Sequence, residues 1–87
     1  MNYSVDKEIG HLLEGLLRLG TKNADETYSV LYGTVFKDDK LQNTLESLFG
    51  TLKAAKKRGI IDFKGELLMQ GVHDKVEIKV LKPEWKP

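Results

Sequence analysis

The chain has 87 residues, 40% of them hydrophobic and 31% charged, and its net charge is +1. This composition is typical of one small globular domain and excludes a disordered chain. Without cysteine, the chain has no disulfides and no thiolate metal sites, which suits a reducing compartment. No apolar run approaches the roughly 20 residues that cross a bilayer, and MNYSVDKEIG lacks the apolar core of a signal peptide. We therefore expect a single cytoplasmic domain over residues 1–87, without a membrane partner.

The N-terminal segment has the spacing of an amphipathic helix. Between Ser4 and Leu19, apolar residues recur at intervals of three and four. Ser4 is placed to cap this helix and Gly20 to end it. The next segment starts polar and then becomes apolar, which predicts a loop leading into a short strand. The apolar residues of that predicted strand are Val30, Tyr32, Val35 and Phe36.

Two further helices are predicted over residues 38–58. Asp38 or Asp39 caps the first, at 38–43, and a longer helix follows at 44–58 and ends at Gly59. Gly50 would lie inside the longer helix at a cost of about 1 kcal/mol relative to alanine, which indicates close packing or a bend. The apolar stripe along the two helices consists of Leu41, Leu45, Leu48, Phe49, Leu52 and Ala55.

Two strands are predicted near the C terminus, at IIDF and at VEIKVL (residues 76–81), the second with clear alternation of apolar and charged residues. The interval from Lys64 to Lys75 would connect them as a wing, and the tail at 82–87 is expected to be irregular. The predicted order is helix, short strand, helix, helix, strand, wing, strand. This order favours an α+β fold: a small winged-helix-like domain of three helices, a short strand and a C-terminal two-stranded wing. Because each helix has one apolar stripe, already needed inside the domain, we expect a monomer.

The sequence contains no recognisable catalytic or metal-binding motif. His11 and His73 are far apart and no cysteine accompanies them. Phosphate-binding, dinucleotide-binding and nucleophile-elbow patterns are also missing. Asp38 and Asp39 are better explained as helix caps than as acid/base groups. We therefore expect no catalytic residue, no metal and no cofactor, and an enzyme whose groups meet only on folding is the least favoured alternative.

The basic charges concentrate in the second half of the chain. Residues 1–43 hold five Lys/Arg and seven Asp/Glu, whereas residues 44–87 hold nine and six. Four of these nine basic residues lie near the C-terminal end of the longer helix. There each positive charge interacts favourably with the helix dipole by about 0.3–1 kcal/mol, even without a binding partner. A nucleic-acid-binding winged helix that uses residues 53–58 is the alternative. The four are Lys53, Lys56, Lys57 and Arg58.

The face of this helix opposite the apolar stripe argues against base reading. Reading bases in the major groove requires long forked side chains, and most residues on this face are small. Lysine contacts to phosphate would give only weak, sequence-blind binding. Small residues instead permit close approach of the first helix or of a partner protein, and the first helix is favoured. The face consists of Asn43, Ser47, Gly50, Thr51, Ala54 and Arg58.

The predicted wing contains three consecutive apolar residues, Leu67, Leu68 and Met69, between two glycines. Either the wing folds back and buries them, or at least one is exposed as a hydrophobic anchor for a partner. The sequence leaves both alternatives open. Glu66 and the pair His73 and Asp74 flank this apolar run.

The stretch GTLKAAKKRGIIDFKGELLMQGVHDKVEI, residues 50–78, resembles the Costars family, whose domain also forms the C-terminal part of the striated-muscle activator of Rho signalling. Weaker similarity extends through YGTVFKDD and covers Val5 to Leu81. The resemblance implies a winged-helix-like domain associated with the actin cytoskeleton, actin dynamics and cell motility rather than with DNA.

We therefore expect a non-enzymatic regulator of the actin cytoskeleton that contacts actin or an actin-associated protein. No specific nucleic-acid partner is expected. The location would be the cytoplasm, with association to the cytoskeleton. The candidate partner-binding residues at the helix end and in the wing are Lys53, Lys57, Arg58, Glu66, Leu67, Met69, His73 and Asp74.

Overall fold

The computed structural model describes residues 4–66 and 68–87. In this part of the chain, four helices pack against one antiparallel sheet of four short strands in the order β1-β2-β4-β3. The helices are α1 (Val5–Leu19), α2 (Tyr32–Phe36), α3 (Asp39–Thr44) and α4 (Leu48–Lys57), and the strands are β1 (Thr21–Lys22), β2 (Tyr28–Leu31), β3 (Ile61–Asp62) and β4 (Glu77–Val80).

Strand β4 lies at the centre of the sheet and carries much of its buried face. Ile78 pairs with Val30 of β2, Val80 pairs with Ile61 of β3, and both β4 side chains are fully buried. The α+β class and the antiparallel pairing of the two C-terminal strands are confirmed. The winged-helix designation stays a prediction.

Helix α1 begins and ends where the sequence predicts. Ser4 Oγ accepts a hydrogen bond from the Lys7 N–H, and the Gly20 N–H donates to Leu16 O at 2.8 Å. Gly20 lies where the end of α1 meets β2, since a Cβ there would be 2.8 Å from Leu16 O and 2.9 Å from Ser29 O. The glycine is therefore required by close backbone approach.

The segment between α1 and α3 differs from the prediction in two places. Tyr32, Val35 and Phe36 lie in α2, a helix beyond the three predicted, and not in a strand. Strand β2 ends at Leu31, and the chain turns into a helix that buries Tyr32 and Val35 three residues apart. The first two residues of the polar segment predicted as a loop form strand β1 and pair with the start of β2, while residues 23–27 form the connecting turn.

The α3 and α4 helices are separate, as predicted, but the break falls at residues 45–47. Ser47 caps α4, with its Oγ accepting from the Gly50 N–H at 3.0 Å, so Gly50 lies in the first turn. The predicted packing reason for Gly50 is wrong, because the atoms nearest to an added Cβ belong to Ser47. The prediction that Thr51 lies on an outward face of small residues is also wrong. Thr51 is fully buried, and its hydroxyl donates a hydrogen bond to Ser47 O at 2.7 Å.

The core is formed by the apolar sides of α1 and α4 together with the inner face of the sheet. Residues 82–87 form no helix or strand, yet Trp85 is half-buried against the core. The largest fully buried side chains are Ile9, Leu12, Leu16, Val35, Thr51, Leu52, Ile60, Ile61, Ile78 and Val80.

Asp38 joins α1 to α3. Its carboxylate accepts the Leu41 N–H at 3.0 Å as the α3 cap and receives two hydrogen bonds from the Arg18 guanidinium, at 2.7 and 3.2 Å. The Arg18 hydrogen bonds, helped by the Leu41 N–H, lower the pKa of Asp38, against a smaller opposing effect of burial. Because the pKa of Asp38 is lower in the folded protein, the ionised carboxylate stabilises the fold. This stabilisation is fully present above about pH 4, the pKa of an aspartate in an unfolded chain, and is lost as the pH falls through the pKa of Asp38 in the folded protein.

We expect Asp38→Ala to lower the free energy of unfolding by about 0.5–2 kcal/mol at pH 7, because an N-cap and an ion pair are lost together. The difference from the wild type should shrink as the pH falls below 4. Urea denaturation at both pH values measures this. Asp39→Ala is the control, since Asp39 is exposed in the first turn of the same helix; an equal loss there would contradict the role of Asp38.

Candidate functional site

The end of α4 and the start of the wing enclose a groove of about 380 Å³. Lys53 and Lys57, one helical turn apart, are exposed on one side, and Glu66 is exposed in the wing. Phe63, which follows β3, is buried with only 4% of its surface exposed and lies at the base. We call this feature the basic groove; its lining residues are Lys53, Lys56, Lys57, Phe63 and Glu66.

Lys56 has a structural role within the basic groove. Its Nζ donates hydrogen bonds to Phe63 O at 2.6 Å and to Gly65 O at 2.5 Å, and it lies 4.3 Å from the centroid of the Phe63 ring. The side chain therefore ties α4 to the first residues of the wing. These contacts give Lys56 a structural role that its neighbour Lys57 does not share, and the sequence alone does not distinguish the two lysines.

Arg58 is not part of the groove lining. It is the C-terminal cap of α4, and its guanidinium forms an ion pair with Asp6 in the first turn of α1. Both side chains are about half exposed, so the pair contributes about 0–1 kcal/mol. The structure brings Lys53 and Lys57 of α4 together with Glu66 of the wing. It places Arg58 in a contact between the end of α4 and the start of α1.

The apolar run of the wing is divided between core and surface. Leu68 is buried with 4% of its surface exposed, whereas Met69 is 48% exposed. Leu67, the third candidate in this run, lies outside the described residues. The wing therefore does not bury the whole run, as the first alternative required: Leu68 lies in the core, whereas Met69 is exposed.

The wing loop, residues 69–74, is held by its own hydrogen bonds. The Met69 N–H donates to His73 Nδ1 at 2.8 Å, and the His73 N–H donates back to Met69 O at 2.9 Å. The Gly71 N–H donates to Asp74 Oδ1 at 2.8 Å, in a turn where Gly71 has a φ of 84°. His73 and Asp74 therefore shape the loop.

The wing loop is also fixed to α2. Asp74 O accepts the Gly33 N–H at 2.9 Å, and a Cβ on Gly33 would lie only 3.0 Å from Asp74 Cβ. The pKa of the Tyr32 hydroxyl is raised by partial burial and, to a lesser degree, by the negative charge of Asp74. Although the loop is held against α2, the side chains of Met69 and Val72 are exposed, Val72 at 69% of its surface. Val72 is a surface residue that the sequence analysis missed, although its position beside the turn residue Gly71 is a signal for exposure.

Within residues 4–66 and 68–87, no three His, Cys, Asp or Glu side chains are arranged to hold a metal ion. None of the helices in the described part of the chain has the length and hydrophobicity needed to cross a bilayer. The arrangement at both surfaces, exposed charges at the basic groove and exposed apolar side chains on the wing loop, is suited to contact with another molecule.

Comparison with known proteins identifies the family. The Costars family profile matches residues 4–81. The chain belongs to the Costars family. It is 56% identical over 80 residues to Protein costars of Dictyostelium discoideum, covering 92% of this chain and 98% of that protein. It is 55% identical over 78 residues to the human Costars family protein ABRACL, covering 90% and 96%.

A solved structure shares the fold of this Costars domain. The solution structure of human HSPC280 protein superposes with a TM-score of 0.79 at 54% sequence identity, covering 91% of this chain and 93% of that one. The resemblance seen at residues 50–78 is thereby confirmed as membership of the family. The profile match contains every candidate residue of the basic groove and of the wing loop.

Proposed function

We propose that this Costars domain is a non-enzymatic regulator of actin dynamics and cell motility that acts through protein contacts. The observation that carries the proposal is the family match over residues 4–81, because the Costars family is associated with the actin cytoskeleton. The partner is actin or an actin-associated protein, met in the cytoplasm in association with the cytoskeleton.

The wing loop supports contact with a protein. Met69 and Val72 are exposed apolar side chains on a loop that is held by six hydrogen bonds. These include the bonds from the Gly33 N–H to Asp74 O, from the Val72 N–H to Met69 O and from the Val76 N–H to His73 O. A loop already fixed in one conformation loses less conformational entropy on binding. Apolar side chains that fill a partner's pocket are the usual source of binding energy in protein interfaces.

The nucleic-acid alternative is weakened by the contacts of the basic run. Lys56 is engaged by two carbonyl groups and Arg58 by Asp6. Lys53 and Lys57 share their groove with the carboxylate of Glu66, which repels a phosphate backbone. We therefore expect only weak binding to duplex DNA that disappears as salt is raised.

Actin cosedimentation and polymerisation assays, run beside a salt titration against duplex DNA, test the proposal. We expect the protein to change the polymerisation rate or the pelleted fraction of actin, and its DNA binding to vanish at physiological salt. The proposal fails if purified actin and a cytoskeletal extract are both unaffected while DNA binding persists in salt.

We expect the double change Met69→Ser and Val72→Ser to weaken binding to actin, or to the actin-associated partner, by about tenfold, since two apolar contacts of an anchor are lost. The free energy of unfolding should change by less than about 0.5 kcal/mol, because both side chains are exposed. Fluorescence anisotropy and urea denaturation of the same samples measure the two quantities.

Leu68→Ser is the matched control for this double variant. Leu68 is buried, so its loss should lower stability by about 2–5 kcal/mol. Wild-type affinity in a folded double variant would show that the wing loop is not the contact surface.

A further inference from the structure

We propose that the basic groove binds an acidic, partly apolar segment of a protein partner. A carboxylate of the segment lies between Lys53 and Lys57, and an adjacent apolar side chain packs against the aliphatic parts of the lysine side chains that line the groove. The inference rests on the proposed function for its class of partner, a protein, and adds the chemistry that this surface recognises.

The charges of the groove indicate the sign of the partner. Three lysines and one glutamate line it, so positive charge exceeds negative charge by two. Lys53 and Lys57 are both exposed, and like charges four residues apart on a helix destabilise it. A carboxylate placed between them relieves this repulsion, and the complementary charge raises both affinity and association rate.

The shape of the groove is fixed before a partner arrives. Two of the three Lys56 Nζ donors are taken by Phe63 O and Gly65 O, so α4 and the start of the wing are held at a constant separation. The Phe63 ring lies beneath Lys56. A volume of about 380 Å³ accommodates side chains of a peptide and lies at the low end of small-molecule pockets, which span about 300–1,000 Å³.

Glu66 distinguishes a peptide from a polyanion. Its carboxylate is exposed in the wing and lines the groove with the lysines. A carboxylate in this position repels a continuous run of phosphates but accepts hydrogen bonds from the backbone N–H groups of a peptide. Glu66 therefore limits the affinity for acidic ligands and favours a segment whose acidic and apolar residues alternate.

Charge reversal at Lys57 and at Glu66 gives effects of opposite sign. The probe is a fluorescein-labelled synthetic peptide in which glutamate and leucine alternate, measured by fluorescence anisotropy. We expect Lys57→Glu to raise the Kd about tenfold and Glu66→Lys to lower it severalfold, because each reverses a charge that faces the same ligand. Lys37→Glu, at the exposed end of α2, is the control and should leave the Kd unchanged.

The same variants separate this inference from the proposed function. Lys57 and Glu66 are exposed, so thermal melts should show both variants folded. Unchanged peptide binding in both folded variants, or changes of the same sign, would overturn the groove inference. If the wild-type protein still affects actin in that case, the proposed function stands. If the peptide responds as expected but the wild type has no effect on actin or on an extract, the proposed function fails alone. Duplex DNA that binds more tightly than the peptide would also overturn the inference.

Discussion

Replacing Leu52 with alanine is expected to lower the free energy of unfolding by about 2–5 kcal/mol. Leu52 is completely buried in α4, the helix that packs against α1. Removing its isobutyl group loses the transfer free energy of that group and leaves a cavity that the surrounding helices fill only in part. Domains of this size have total stabilities at the low end of about 5–15 kcal/mol, so this single change removes a large share of the total.

Urea denaturation monitored by the helix signal in circular dichroism measures this loss. Lys53→Ala is the matched control, because Lys53 is the next residue of the same helix and is exposed. Its effect should stay within about 0.5 kcal/mol. A loss below about 0.5 kcal/mol for Leu52→Ala would mean that α4 does not bury this face.

The longer helices could be predicted because each buries one stripe of a regular pattern. In α1, Ile9, Leu12 and Leu16 keep the spacing of three and four residues and are all fully buried. The spacing alone does not set the rotation of α4. Thr51 is buried because its hydroxyl is satisfied by Ser47 O, and a polar residue whose partner lies on its own helix does not signal burial in the sequence.

The elements that the sequence analysis missed are short and lack local signals. Helix α2 has five residues and begins at Tyr32. Its N-cap residue, Leu31, makes no side-chain cap and its first turn has no acidic residue, so the usual signals of a helix start are missing. Strand β1 has two exposed residues, too few for alternation to be seen. Both elements depend on contacts with distant parts of the chain: β1 pairs with β2, and the first two N–H groups of α2 donate to Val76 O and Asp74 O, just before β4.

The sequence identifies candidate partner-binding residues but not the contacts that each of them makes in the folded domain. Lys56 and Lys57 are adjacent in the same basic run, yet only Lys56 reaches the carbonyl groups of Phe63 and Gly65. Arg58 is paired with Asp6, 52 residues away in the chain. Such long-range contacts depend on the packing of α4 against α1, which a local pattern does not specify.

Alanine in place of glycine is expected to have opposite effects at the two positions Gly10 and Gly20. A Cβ at Gly20 would lie 2.8 Å from Leu16 O and 2.9 Å from Ser29 O. Both are main-chain atoms, so relief requires the last turn of α1 to distort and the end of α1 to move away from β2. The φ of −90° at Gly20 is open to any residue, and the cost of about 1–3 kcal/mol therefore arises from crowding alone.

Gly10 lies inside α1, where the nearest atoms to an added Cβ are Pro87 Cγ and Cδ, at 3.6 and 3.7 Å. These are ordinary van der Waals contacts. Gly10→Ala should therefore raise the free energy of unfolding by about 0.5–1 kcal/mol, the usual difference between the two residues in a helix interior. Thermal and urea melts of the two variants measure the difference, and each kcal/mol should move the melting temperature by about 4–8 °C. If Gly10→Ala lowers stability, the added Cβ does not fit beside Pro87 as an ordinary van der Waals contact. If Gly20→Ala leaves stability unchanged, α1 and β2 are further apart than the distances at Gly20 indicate.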